Sequence, residues 1–311
     1  MDAICTESLT KTFRSSWPGK PPVTVVRDLN LTVNREEVFG FLGPNGSGKT
    51  TTMKMLLGLA QPTKGTVRLL GRPTSEVSVH QQIGFLPEAP YFYTYLTAEE
   101  VLLFYGRLAG LSGQSLKRRV EEMLEMVGLV EARWRQLGKF SKGMLQRVGL
   151  AQALIHDPTL VILDEPMSGL DPIGRKEVRD LIIRLRKQGK TVFFSTHIIP
   201  DVETLCDRVG IIAGGRLLAC GRVNELVEGR TKTVEVVCDG LHESHLTPLN
   251  GLASSIVQKD RQHLITLSQP ERLEELLAAI KARGGKLVSV TPHKGSLEEL
   301  FFSSIQVEAK T

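Results

Sequence analysis

The segment GPNGSGKT at positions 43–50 limits what this chain can fold into. It follows a short apolar run, EVFGFLG (37–43), and leads into the helix-forming stretch TTMKMLLGLA. Its spacing is G-x-x-x-x-G-K-[ST] at every fixed position, between a predicted strand and a predicted helix. Glycines there let backbone N–H groups curl around a phosphate. Gly43, Pro44, Asn45, Gly46, Ser47, Gly48, Lys49, Thr50 and Thr51 are therefore candidates for holding the phosphates of a nucleotide. Lys49 is placed to reach the β- and γ-phosphates, and the Thr50 hydroxyl to ligate Mg2+.

A second segment supplies the acids. TLVILDEP (159–166) is a continuous apolar run closed by carboxylates, which predicts a parallel strand buried on both faces. Asp164 ends that strand, where it can hold Mg2+ through water. Glu165 comes next, placed to face the γ-phosphate and polarise a water as a general base. The competing reading of Glu165 is an acid at a helix N-terminus.

The other elements fit an α/β chain. GTVRLLG (65–71), IGFLP (83–87) and TVFFSTH (191–197) read as strands, and residues 2–36 as a hairpin-like β region. Residues 88–157 are helical, opening with Thr97-x-x-Glu100 as a capping box. EVRDLIIRLRKQGK is an amphipathic helix, and RVGIIAGGRLLACG a hairpin turning at Gly214-Gly215. From 231 the texture changes to two or three short strands (TVEVV, HLITL, KLVSV) and one helix, ERLEELLAAIKARGG. The predicted fold class is α/β: a P-loop NTPase core at 1–228, with an antiparallel β subdomain and a helical subdomain near 88–157. A small α+β domain is predicted at 231–311.

Composition narrows the function. With 311 residues and 41% apolar content, the chain can bury a large core as two domains. The four cysteines have no metal-ligand spacing, so they read as reduced cytosolic thiols. A net charge of +5 is too weak to argue for nucleic acid. The first residues, MDAICTESLT, contain an acid and no apolar run, so no signal peptide is expected. No stretch approaches the ~18 unbroken apolar residues of a membrane span. If the protein works at a membrane, another chain crosses it.

FSKGM (140–144) is the remaining motif. Ser141 reads as the N-cap of a helix, and Ser-x-Gly before a helix makes an anion-binding corner. Taken with GPNGSGKT and LVILDEP, it resembles the signature sequence of ABC transporter ATP-binding subunits. SGLD (168–171) resembles their D-loop, and His197, closing TVFFSTH, their switch histidine. These motifs lie in the family's order over about residues 1–225. The resemblance implies ATP hydrolysis with Mg2+, aided by Glu165, His197 and Lys49. It implies two subunits paired head to tail, so that Ser141 and Gly143 serve ATP held by the other copy, or by a paralogous ATPase subunit, and it adds Asp171 to the ATP-binding residues. It implies an adenine-stacking aromatic, matched here by Phe13, with Trp17 as the alternative and an ordinary core phenylalanine as the competing reading. For His197 that competing reading is a satisfied core histidine.

Two departures stand out. The family's LSGGQ reads FSKGM here, with Lys142 and Met144 at altered positions. Glu88 stands where the Q-loop glutamine belongs; a carboxylate there can ligate Mg2+ but only accepts hydrogen bonds. Both departures, and a closing SLEELFF (296–302), resemble a bacterial exporter branch whose membrane permease is a separate chain. That resemblance implies a protein in the cytoplasm, peripheral on the cytoplasmic face of the cell membrane. All four tyrosines (Tyr91, Tyr93, Tyr95 and Tyr105) follow the Q-loop position, where the family receives a helix of the permease. A soluble ABC ATPase acting on ribosomes or nucleic acid is the alternative. Against it, there is one copy of the motif set and no sustained heptad pattern.

Overall fold

Residues 2–14, 21–228, 233–241, 249, 251–259, 262–293 and 297–301 are described in a computed structural model of the chain. They divide into two compact units, Met1–Val223 and Asn224–Val307. Trp17, Ser296 and Phe302 lie outside the described residues.

The first unit contains an antiparallel sheet of β1 (Asp2–Phe13), β2 (Val23–Asn34), β4 (Lys64–Leu69) and β5 (Arg72–Pro73), in the order β2-β1-β4-β5. Its main sheet holds β3 (Val38–Leu42), β6 (Ile83–Leu86), β7 (Leu160–Leu163), β8 (Thr191–Thr196), β9 (Arg208–Ala213) and β10 (Arg216–Arg222). The order is β10-β9-β3-β8-β7-β6. All neighbours run parallel except β10, which turns back on β9. The helices of this unit are α1 (Lys49–Leu56), α2 (Val77–His80), α3 (Ala98–Leu108), α4 (Gly113–Met126), α5 (Lys142–Leu154), α6 (Pro172–Lys187) and α7 (Ile199–Leu205); α8 (Val223–Glu228) belongs, but for Val223, to the second unit.

The apolar runs are unbroken because both faces of the main sheet are covered. Val38, Val161, Leu163, Val192 and Phe194 point into a core shared with α3 to α6. Their neighbours Phe39, Phe41, Leu160, Ile162 and Phe193 point the other way, into a core shared with α1 and the antiparallel sheet. Phe193 anchors that second core, stacked on Phe39 at 5.7 Å and tilted against Phe41 at 5.5 Å. Each such ring contributes roughly 1.5–3 kcal/mol by burial.

Connectivity sets where a ligand goes. β8 lies on one side of β3, and β9, the next strand in the chain, lies on the other. In open parallel sheets the crevice beyond the carboxyl ends, at such a switch point, is the ligand site. The segment 43–48 leaves β3 there. The helical region begins as expected: Thr97 caps α3, accepting from the Glu100 N–H at 3.2 Å, while the Glu100 carboxylate accepts from the Thr97 N–H at 2.8 Å.

The second unit is a four-stranded antiparallel sheet of β11 (Thr233–Asp239), β12 (Ser255–Lys259), β13 (Gln262–Leu267) and β14 (Lys286–His293), in the order β12-β13-β11-β14. Its core joins Val234, Val236, Ile265 and Leu267 to Leu276 and Ile280 of α9 (Leu273–Ala282). The sequence reading named TVEVV, HLITL and KLVSV and missed β12. SIVQK has only two apolar residues, and it is held as an edge strand by backbone pairing to β13.

One close approach is testable. Gly84 in β6 packs under the end of α5, where an added Cβ would lie 2.2 Å from the Ala153 carbonyl oxygen and 2.9 Å from Pro158. Backbone cannot yield as a side-chain tip can, so Gly84→Ala is expected to cost at least about 1–3 kcal/mol. A urea midpoint unchanged from that of the parent would contradict this packing.

Candidate nucleotide-binding site

The loop after β3 is shaped by two glycines. Gly48, at φ +103°, caps the start of α1, and a Cβ on it would fall 2.8 Å from the Val25 carbonyl oxygen. Gly43 is hemmed in by the Ile212 carbonyl oxygen, 2.4 Å from where its Cβ would be. The loop is braced by its surroundings: the Gly43 N–H donates to the Thr196 carbonyl (3.1 Å), and the Gly215 N–H donates to the Ser47 carbonyl (3.2 Å). Lys49, the first residue of α1, is buried, and its ammonium donates to the carbonyls of Gly43 (2.7 Å) and Pro44 (3.1 Å). The Ser47 hydroxyl is buried and has no hydrogen-bond partner among the described residues.

Glu165, one residue beyond Asp164 after β7, completes the centre. It adopts φ +47°, a left-handed conformation unusual for a residue with a side chain. Its Oε1 lies 3.2 Å from Lys49 Nζ, and its Oε2 lies 2.9 Å from His197 Nδ1. A carboxylate only accepts, so Nδ1 carries the proton in this pair. Asp164 is buried beside it, with Oδ1 accepting from the Ser195 hydroxyl at 2.6 Å. The same hydroxyl accepts the Glu165 N–H at 2.9 Å.

These residues border a cavity of about 280 Å³ lined by Val25, Asn45, Gly46, Gly48, Lys49, Thr50, Thr51, Glu88 and Glu165. Asp164 and His197 are not on its wall; both reach it through Glu165 and its backbone. Thr50 and Glu88 offer this cavity oxygen donors only, a set that suits a hard divalent ion such as Mg2+.

Nine expected site residues are not on this wall: Asp164, His197, the loop residues Gly43, Pro44 and Ser47, and Ser141, Gly143, Asp171 and Phe13. Ser141 caps α5, its hydroxyl accepting from the Met144 N–H at 3.3 Å, and Gly143 has only Leu170 near where its Cβ would be, at 3.6 Å. Asp171 caps α6, with Oδ1 accepting from the Gly174 N–H at 2.7 Å. Phe13 is not in a core: it is 46% exposed, with Lys11 Nζ 5.0 Å from its ring centre.

The sequence reading passed over three side chains. Ser195 breaks an apolar strand without altering its length. Gln146 is buried on α5 and donates from Nε2 to the Pro166 carbonyl at 3.1 Å, tying the helix of FSKGM to the turn that carries Glu165. Asp201 is buried on α7, and its Oδ2 is without a hydrogen-bond partner among the described residues. A polar residue closing the apolar run TVFF was the available signal for the first; Gln146, beside Arg147, carried none.

A phosphate-cradling loop at the switch point of a parallel sheet, facing a carboxylate held by its own lysine, defines a P-loop nucleoside triphosphatase. The sequence pattern of the ABC transporter family matches residues 26–168. An uncharacterised ABC transporter ATP-binding protein of Nostoc sp. PCC 7120 is 40% identical over 305 residues, covering 97% of this chain and 90% of the relative. The linearmycin resistance ATP-binding protein LnrL of Bacillus subtilis is 33% identical over 291 residues, covering 90% and 93%. A solved ATP-binding cassette, in a dimeric post-hydrolysis state bound to ADP and Pi, superposes with a TM-score of 0.65 at 25% identity, covering 70% of this chain and 98% of that one. The chain belongs to the ATP-binding subunits of ABC transporters and is an ATP hydrolase coupled to transport.

Asp201 generates a pH expectation. Burial raises its pKa above the ordinary 3.8, against the opposing pull of Arg179 and Arg175 and with a further push from Glu165. The unfolded chain thus releases this proton at lower pH than the folded one, so the stability it contributes is full below the ordinary value and is lost as pH rises through the folded value. Asp201→Asn is expected to raise the urea midpoint at pH 7.5, with the gain disappearing near pH 3.5. An equal shift at both pH values would point to packing instead.

Proposed function

We propose that two copies of the first unit, or this chain and a paralogue, close head to tail around ATP and Mg2+, and that the closure drives export through a separate membrane permease. The observation that carries this reading is the division of the site. Lys49, Thr50 and Glu165 share one cavity, while the capped N-terminus of α5, with Ser141 and Gly143, is absent from its wall. A helix N-terminus with free N–H groups suits a γ-phosphate, so a second chain supplying it would bind ATP in preference to ADP. The solved relative with ADP and Pi is itself dimeric.

In this reading Glu165 orients the attacking water and His197 holds the Glu165 carboxylate. Lys49 shifts from its loop carbonyls toward the β- and γ-phosphates. Thr50, Asp164 and Glu88 would hold Mg2+, which would supply positive charge to offset that of the phosphates. Phe13 carries the adenine. The name of LnrL, a resistance protein, favours the outward direction.

No helix among the described residues is long and apolar enough to cross a membrane. The permease is proposed to dock at an aromatic groove of about 160 Å³ that includes Tyr91, Tyr93, Phe104 and Tyr105, on the cytoplasmic face of the membrane. Tyr91 is 88% exposed there, as suits an interface anchor. The second unit is proposed as an accessory domain.

Glu165→Gln is expected to keep ATP binding and lose at least about 100-fold in turnover. In light scattering after gel filtration, this variant is expected to pass from monomer to dimer on addition of ATP and Mg2+. Lys49→Ala and Ser141→Arg chains, each inactive alone, are expected to regain part of the activity when mixed. A mixture as inactive as its parents would refute sites shared between chains.

A further inference from the structure

Ser195 lies fully buried in β8, a strand otherwise built of Thr, Val and Phe. Its backbone already serves the sheet, pairing in parallel register with Phe41 of β3. A valine would fill such a position without a polar atom to satisfy, so the hydroxyl is best explained by its two bonds. Both go to the acidic turn after β7: its proton to Asp164 Oδ1 at 2.6 Å, its lone pair to the Glu165 N–H at 2.9 Å.

Those bonds act on different things. Donation to Oδ1 fixes the rotation of the Asp164 carboxylate, and hence the direction of its remaining acceptor sites. Acceptance from the Glu165 N–H supports a residue held at φ +47°, where a side chain is disfavoured. That turn aims the Glu165 carboxylate at Lys49 and His197. We propose that Ser195 is a positioning residue for ATP hydrolysis, one hydroxyl setting both the metal-side carboxylate of Asp164 and the backbone turn that presents Glu165. This rests on the assignment of Glu165 as the base.

A serine that only stabilised the fold would, when removed, lower the amount of folded protein and leave the rate of what remains. A positioning serine changes turnover and metal dependence while leaving nucleotide affinity alone. The test uses the full chain carrying Ser195→Ala, Ser195→Thr, Ser195→Cys or Glu165→Gln. Steady-state ATPase is measured across ATP and Mg2+ concentrations, with binding of a fluorescent ATP analogue measured without Mg2+. Ser195→Ala is expected to lower kcat about 10- to 100-fold, as for a lost hydrogen bond to a charged group. It should also raise the Mg2+ concentration for half-activation, and leave Mg2+-free analogue binding within about twofold. Ser195→Thr, which keeps the hydroxyl, should return kcat to within about threefold.

Wild-type kcat and Mg2+ dependence in Ser195→Ala would overturn the proposal. So would a kcat loss matched by an equal loss of analogue affinity, or one that threonine fails to restore. Should the alanine variant not fold, Ser195→Cys keeps the bulk with a weak donor; a wild-type rate there overturns the proposal equally, and a fall supports it. Glu165→Gln separates the two assignments. If that variant turns over normally, the base assignment fails; if it is inactive while Ser195→Ala is normal, only the role of Ser195 fails.

Discussion

The centre of the first unit is a carboxylate that would be costly to bury alone. An unpaired charge in a protein interior costs several kcal/mol, and Glu165 is almost wholly enclosed. Lys49 and His197 answer that cost at one oxygen each, at 3.2 and 2.9 Å. The two partners arrive by different routes. Lys49 starts a helix after β3, His197 follows β8, and Glu165 follows β7. With β8 between β3 and β7, the loop and the acid stand two strand spacings apart, about 10 Å. A long, flexible cation spans that gap to one carboxylate oxygen, and the residue following the intervening strand meets the other. The strand order is thus a distance specification for the chemistry.

The layers around the sheet serve the same end. Odd and even positions of β3, β7 and β8 enter two separate cores. One contains α1 and the antiparallel sheet; the other contains α5, which carries FSKGM. Gln146 then joins α5 to the Pro166 carbonyl, immediately after Glu165. A displacement of α5 is therefore transmitted to the acidic turn through one buried amide as well as through apolar packing.

Much of this architecture was legible in the residue order. Short apolar runs ending in glycine or acids gave the parallel strands, since only a strand covered on both faces tolerates such a run. Thr97 and Glu100 announced a helix start, because their reciprocal bonds are local. What escaped was decided by tertiary contact. Ser195 reads as one more residue of a strand until the chain brings it to Asp164, 31 positions away. SIVQK lacks a pattern of its own, since β13 supplies its hydrogen bonds. Phe13 was open between an adenine-stacking ring and a core residue, and its 46% exposure depends on which face of the antiparallel sheet is covered. Asp171 has a local role as a helix cap that its place in SGLD did not suggest, although Asp before Pro at a helix start is a recognisable sign.

The Gly214-Gly215 turn has a consequence for how this chain can be cut and rejoined. It looks like an ordinary hairpin tip, the kind of place where tags, insertions or new termini are commonly put. Yet the Gly215 N–H binds the Ser47 carbonyl, the Gly215 carbonyl receives the Arg27 N–H at 2.8 Å, and a Cβ on Gly215 would lie 2.3 Å from the Val25 carbonyl oxygen. The turn is a wedge beneath the phosphate loop. A chimera grafted at this point would inherit strands that fold and a loop without its support, whereas a junction in an exposed turn such as Gly71, with open space around it, leaves that support in place.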